Sequence, residues 1–318
     1  MNHRAQIRML PDGRRVHMHD GPIDLILEAF GEAAEVEWAY RAAAARFVTV
    51  LDELCGELTL LRTVAQVDGL IPSGRVARRM LQAVLPYACT NFITPMAAVA
   101  GAVAEEILGV MTSAADLRRA YVNDGGDIAL HLTAGEQFYV GVMEYPAPSA
   151  EPKPNLGLFG TTTIEFLHPV RGIATSGWRG RSFSLGIADS VTVLADTAAV
   201  ADAAATIVAN AVDLLAHPAI GRVRACDLAP DSDLGERLVT QSVGELTVDE
   251  IYAALDSGVL VAESLQQRGL IRAAALRLKD QTRVTSTAKS RATTTELTEL
   301  HGGKQKLMEP REGSVVHA

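Results

Sequence analysis

Residues 188–213, ADSVTVLADTAAVADAAATIVANAVD, constrain the fold more than any other stretch of this chain. The run Ser190-Val191-Thr192-Val193-Leu194-Ala195 reads as a strand ending at Asp196. Asp196 or Thr197 can cap the helix that follows, placed over about 197–215. That helix is alanine-rich and apolar, yet it carries Asp202, Thr206 and Asn210 at i, i+4 and i+8. The spacing puts a carboxylate, a hydroxyl and an amide on one face. An oxygen-bearing stripe on an apolar helix needs partners. A hard cation such as Mg²⁺ is one kind of partner, because it takes oxygen ligands. The alternative is that Thr206 back-bonds within its helix and Asp202 meets a backbone amide or a lysine.

Composition narrows the classes open to the chain. Its 318 residues suffice for one large domain or two modest ones with a full core. A net charge of −9 argues against a broad nucleic-acid footprint, which wants a basic face. The cysteines Cys55, Cys89 and Cys226 are odd in number and widely spaced, so neither a disulfide framework nor a metal cluster is expected. The stretch MNHRAQIRMLPDGRRVHMHD has no apolar signal core, and no uncharged apolar run is long enough to cross a bilayer. We expect a reduced, cytoplasmic protein with no membrane partner. The oligomeric state is not legible.

Strands are expected within 4–28, around Pro11-Asp12-Gly13, and near 118–123, 127–133 and 136–144. A long helix over about 31–63 carries the apolar stripe Phe47, Leu51, Leu54, Leu58 and Leu61. Further helices are expected near 74–87 and 96–110. Four prolines within 145–154 exclude regular structure and mark a crossover. Beyond it come strands near 171–176, 182–187, 190–195, 222–228, 236–243 and 270–279, with a helix near 247–268. The expectation is a single domain over 1–284, made of two halves (about 1–145 and 155–284), followed by a flexible polar tail over 285–318. The class is α+β, with antiparallel sheets backed by helices and a possible internal duplication.

Several segments could carry chemistry. In Asn123-Asp124-Gly125-Gly126-Asp127 the glycines permit positive φ and close ligand approach, with a tight hairpin as the alternative. Ala174-Thr175-Ser176-Gly177 offers two hydroxyls beside small residues, suited to a flat ligand or to a turn. Arg179 and Arg181, if on one strand face, form a two-point clamp for phosphate or carboxylate. Thr94-Pro95-Met96-Ala97 starts a helix whose amides favour anions. His17 and His19 share a strand face, which without a third ligand is weak metal evidence. Cys89 and His168 lie near candidate segments. No GxGxxG or GxxxxGK[ST] pattern occurs.

In order, these segments resemble the ApbE-like superfamily, whose best-known members are FAD-dependent flavin transferases. Asn123–Asp127 is similar to its N-x-G-G-D loop and Ala174–Gly177 to its A-T-S-G segment. Ser190–Val193 with Ala201–Thr206 is similar to its S-V-T-V strand followed by A-D-x-x-x-T. The segments at 95–102 and 177–189 resemble a cytoplasmic branch of the superfamily. The resemblance implies a T-fold-like duplicated architecture. It implies Mg²⁺ held by Asp202, Thr206 and a main-chain oxygen near Ala97. It also implies FAD or a related nucleotide against Asn123, Gly125, Gly126, Asp127, Thr175 and Ser176; Arg179 and Arg181, nearest in sequence to the A-T-S-G-like loop, are our own candidates to supply charge to an anionic ligand. Two departures stand out. Ala100 sits where transferases have a lysine, and the short Trp178–Ser182 turn replaces a segment with histidine and proline. The function expected is a metal-dependent enzyme that binds a flavin nucleotide between the two halves, acting by phosphoryl or flavin transfer or by pyrophosphate cleavage. The alternatives are a binder without turnover, or a hydrolase of a small cyclic substrate using Cys89 or His168.

Overall fold

The computed structural model describes residues 4–143, 158–285 and 315–317. In chain order the elements are β1 (Gln6–Met9), β2 (Val16–Asp20), β3 (Ile23–Gly31), α1 (Ala33–Gly56), α2 (Leu58–Leu61) and α3 (Arg75–Val84). A 3-10 turn, Pro95–Ala98, leads into α4 (Val99–Ala114), followed by β4 (Leu117–Asp124), β5 (Asp127–Leu132), β6 (Gln137–Met143) and β7 (Leu158–Glu165). Next come β8 (Gly172–Ser176), β9 (Ser190–Ala195), α5 (Ala198–Ala211), β10 (Ile220–Arg224), α6 (Ala225–Leu228) and β11 (Leu238–Val243). The order closes with α7 (Val248–Gln267), β12 (Ala273–Leu278), β13 (Gln281–Val284) and β14 (Val315–His317).

Nine strands form one antiparallel sheet in the order β1-β2-β3-β4-β5-β8-β9-β12-β13. This is the α+β class expected, with both halves contributing strands to the large sheet and β10-β11 and β14-β6-β7 forming two smaller ones. The halves meet at β5 and β8, where Ile128↔Ile173 and Ala129↔Gly172 pair and Leu130 N donates to Arg171 O at 2.9 Å. Alternation decides which side chains face the helices. Val16, Met18, Leu25, Leu27, Val122, Ala174, Val193 and Leu276 point into a core shared with α1, α3, α4, α5 and α7. The opposite face carries Tyr121, Ile128, Leu130, Leu132 and Ile173, covered by Phe138, Val140 and Ile164 of the β6–β7 hairpin. Each Val, Leu, Ile, Met or Phe among these stabilises the fold by about 1.5–3 kcal/mol relative to exposure.

α5 is the central helix, and its residues from Ala198 to Ala209 are mostly buried. Thr197 is its cap, accepting from Val200 N at 3.4 Å, while Asp196 pairs instead with Arg272 at 2.6 Å. Small side chains let α4 come very close. A Cβ at Gly101 would run into the Ala198 carbonyl. Together with Pro95–Ala98, α4 is long and apolar enough to cross a membrane, but half of that stretch is buried in the core. Its buried Glu106 is held by Arg46 at 2.8 Å and Arg79 at 3.1 Å.

Three sequence expectations change. Residues 182–187 form no strand: Asn210 Oδ1 accepts from Leu185 N at 2.9 Å, and Thr240 holds the Ser184 and Gly186 carbonyls, so the segment follows the end of α5 instead. The strand expected over 222–228 ends at Arg224, and Ala225–Leu228 turn into α6. The polar tail is not wholly without structure, because Val315–His317 pair in parallel with Tyr139–Gly141 of β6. The proline-rich crossover at 145–154 lies outside the described residues, as does most of the tail.

Candidate functional site

A cleft of about 420 Å³ opens at one end of the sheet. The β4–β5 turn, the end of β8, the start of β9, the first turn of α4, the middle of α5 and the 229–234 loop all border it. Its size falls in the usual small-molecule range of about 300–1,000 Å³. Met96, Val99, Phe183 and Leu234 give it an apolar wall.

Asp202, Thr206, Ala97, Gly125, Asp127, Thr175, Ser176 and Arg181 all line this cleft. Residues from both halves and from a span of more than one hundred positions therefore converge. Asn123, Gly126 and Arg179 are not among the lining residues. Asn123 Oδ1 accepts from Gly126 N at 2.8 Å and so shapes the turn behind the wall. Arg179 lies against Trp178 and pairs with Asp189 at 2.6 Å. Trp178–Ser182 is a turn rather than a strand, so the two arginines do not share a strand face as expected. Cys89 and His168 are exposed and are not among the residues lining this cleft.

The helix stripe divides. Asp202 and Thr206 face the cleft, whereas Asn210 turns to Ser184 and Leu185. Asp202 Oδ2 accepts from Gly101 N at 3.0 Å, so its carboxylate sits on the N-terminus of α4, where anions are favoured. Glu105 of α4 returns the contact, accepting from Ala199 N at 2.7 Å at the start of α5. Thr206 forms no hydrogen bond to any described residue, so its hydroxyl does not back-bond.

Asp127 Oδ1 accepts from Thr175 N at 3.1 Å, and the Thr175 hydroxyl meets that of Thr192 at 2.9 Å. Burial, then the charge of Asp202, raises the Asp127 carboxyl well above the usual range. Burial and Asp124 push Asp202 upward too, against the Gly101 and Ala100 amides. Asp124 is 4% exposed, and burial with repulsion from Asp127 pushes it up to about 8. Opposing this is Arg181, 4.0 Å from Asp124 Oδ1. Arg181 lies over Gly125, whose φ of +63° favours glycine, and a Cβ there would strike the guanidinium. The donor set thus consists of hard oxygens with too little positive charge nearby to stabilise their ionised forms. Hard oxygens are the donors a divalent cation takes, but among the described residues no three His, Cys, Asp or Glu side chains are grouped to hold one.

Sequence reasoning passed over four contributors. Asp124 belonged to the loop already singled out, but its burial comes only from the fold. Asp189 accepts from Trp178 Nε1 at 3.1 Å and Lys279 N at 2.5 Å as well as from Arg179, and so anchors the turn beside the cleft. Asp233 accepts from Thr94 across 139 residues of sequence. Arg62, just past α2, reaches the cleft from a segment with no signal of its own.

A family model described as AbpE bacteria matches residues 7–284, and the chain belongs to that family. A UPF0280 protein of Methanothrix thermoacetophila is 37% identical over 161 residues, 49% of this chain and 59% of its own length. Another, from Methanosarcina acetivorans, is 37% identical over 140 residues, 44% of this chain and 49% of its own. The chain thus spans only about half the length of the curated relatives it matches. Among solved structures, the flavin transferase ApbE from Vibrio cholerae is 13% identical with a TM-score of 0.38, covering 89% of this chain and 98% of that one. The ApbE protein of Thermotoga maritima is 14% identical with a TM-score of 0.35, covering 81% and 77%.

Proposed function

We propose that this protein binds FAD or a related flavin nucleotide together with Mg²⁺ in the cleft, and acts on the ligand's diphosphate. The observation that carries the reading is the meeting, in one small-molecule-sized space, of the three sequence segments that resemble ApbE-like motifs. Asp202 and Thr206, with the main chain near Ala97, would hold the metal. Bound there, Mg²⁺ would polarise a phosphoryl oxygen and stabilise developing charge. The side chains have separate roles. Thr175 and Ser176 offer hydroxyls that orient the ligand, and the apolar wall of Met96, Val99 and Phe183 accepts a flat ring. Asp124, protonated below about pH 8, holds a proton at a carboxyl within the cleft. Arg181 supplies positive charge at the opening.

Binding without turnover is the second reading. It is favoured by the titratable groups of the cleft wall, which among the described residues are aspartates and arginines, with neither lysine nor histidine. One experiment separates the two. The protein is incubated with FAD and Mg²⁺ or EDTA, and nucleotides are resolved by chromatography. Mg²⁺-dependent release of FMN or AMP, lost in Asp202→Asn, is the expected outcome. FAD retained unchanged moves the protein to the second reading. Neither retention nor turnover removes the flavin assignment.

A further inference from the structure

The cleft lining carries charge of both signs. Asp124 is buried, Asp127, Asp189, Asp202 and Asp233 are half-buried and Asp231 is exposed, whereas half-buried Arg62 and exposed Arg181 are the cationic side chains among the described lining residues. Arg62 is held in place by its backbone. Its N–H donates to Leu58 O at 3.0 Å, and the preceding Leu61 is fully buried in the core. The closest carboxylate in sequence, Glu57, is already occupied by the amides of Ser73 at 2.8 Å and Gly74 at 3.0 Å. Among the described residues the Arg62 guanidinium has neither an ion-pair nor a hydrogen-bond partner. Arg181 is little better served, since 4.0 Å to Asp124 is too long for a hydrogen bond. Two guanidinium groups therefore border one small space with their donors largely unused. Arginine's planar fork matches phosphate oxygens in pairs, whereas solvated arginines on open surface carry no such geometry.

We propose that Arg62, paired with Arg181, grips the diphosphate of the ligand and selects for nucleotides that carry one. The inference rests on reading the cleft as a nucleotide site, and it places the second cation on Arg62 rather than on Arg179. The test is calorimetric titration of inorganic pyrophosphate and of FAD, each with Mg²⁺ in excess, into the parent and into Arg62→Ala, Arg62→Lys and Arg181→Ala. Melting temperatures are recorded alongside. We expect Arg62→Ala and Arg181→Ala each to weaken both probes about ten-fold or more, the scale of a charge-assisted hydrogen bond. Arg62→Lys keeps the charge but loses the fork and falls between parent and Ala. The melting temperature stays at the parental value. Undiminished affinity in Arg62→Ala overturns the role of Arg62 and leaves the flavin reading intact. An affinity loss matched by lower melting temperature also overturns it, making Arg62 structural. Arg62-dependent pyrophosphate binding without FAD binding supports the anion grip and removes the flavin. A parent that binds neither probe overturns both.

Discussion

Asp202 serves the fold and the cleft with one carboxylate, and two substitutions separate the roles. Asp202→Ala removes the acceptor for Gly101 N, so it should lower unfolding free energy by about 1 kcal/mol, the usual value of a lost helix cap. Asp202→Asn keeps an acceptor and removes the charge, so its stability should stay near that of the parent. Both should abolish calorimetric heat from Mg²⁺. Urea unfolding and titration measure the two effects separately, and Mg²⁺ heat that persists in Asp202→Asn counts against the metal assignment. The pairing of Asp202 with Thr206 was readable from sequence because i, i+4 is a local property of any helix. Asn210 looked equivalent but is not. Eight residues at 3.6 per turn carry it about 80° around the axis from Asp202, enough to aim it at another segment. Arg62 was not readable, because only the fold brings the end of α2 to the cleft.

At the level of elements, α4 and α5 cap one another: Asp202 meets the start of α4 and Glu105 the start of α5. This needs backbone-to-backbone approach at Gly101. Gly101→Ala would press a methyl group into the Ala198 carbonyl and should destabilise by about 1–3 kcal/mol or more, as overpacking does. An unchanged urea midpoint would show that the helices can separate freely. The turn after β8 depends on a different carboxylate. Asp189, with its side chain 12% exposed, satisfies donors from Trp178, Arg179 and Lys279. Its replacement by alanine leaves those donors short of a partner and should cost about 1–3 kcal/mol, with weaker FAD binding as the turn bearing Arg181 loosens. Stability equal to the parent would refute the anchoring role. α7 was legible to within a residue at each end, whereas the helix expected over 31–63 breaks at Glu57, so that Leu58 and Leu61 of its apolar stripe fall in α2. The segment 182–187 was misread as a strand because its alternation of polar and apolar residues reflects packing against Asn210 and Thr240, not a ladder partner.

For the whole molecule, the buried carboxylates tie stability to pH. An unfolded aspartate titrates near 3.8, whereas folded Asp124 titrates near 8, so folding takes up a proton between these values. The stabilisation is full below about 3.8 and is lost as pH rises through about 8. Without metal, the melting temperature should therefore fall across that window. Added Mg²⁺ should raise it more at the top of the window than at the bottom, and Asp124→Asn should flatten the slope. A flat profile in the metal-free parent would contradict the burial of an ionisable Asp124. The nine-stranded sheet was legible only in its pieces, since strand order depends on pairings between distant segments. The seam at β5 and β8 is one such pairing. Beyond Ile128 and Ile173 the ladder between the halves stops, and the next amide on that edge, Thr175 N–H, is held by the Asp127 side chain instead. That single proton is a built-in probe. Its exchange with deuterated solvent depends on whether Asp127 is ionised, protonated or drawn toward a guest, while neighbouring amides along β8 report only the opening of the sheet.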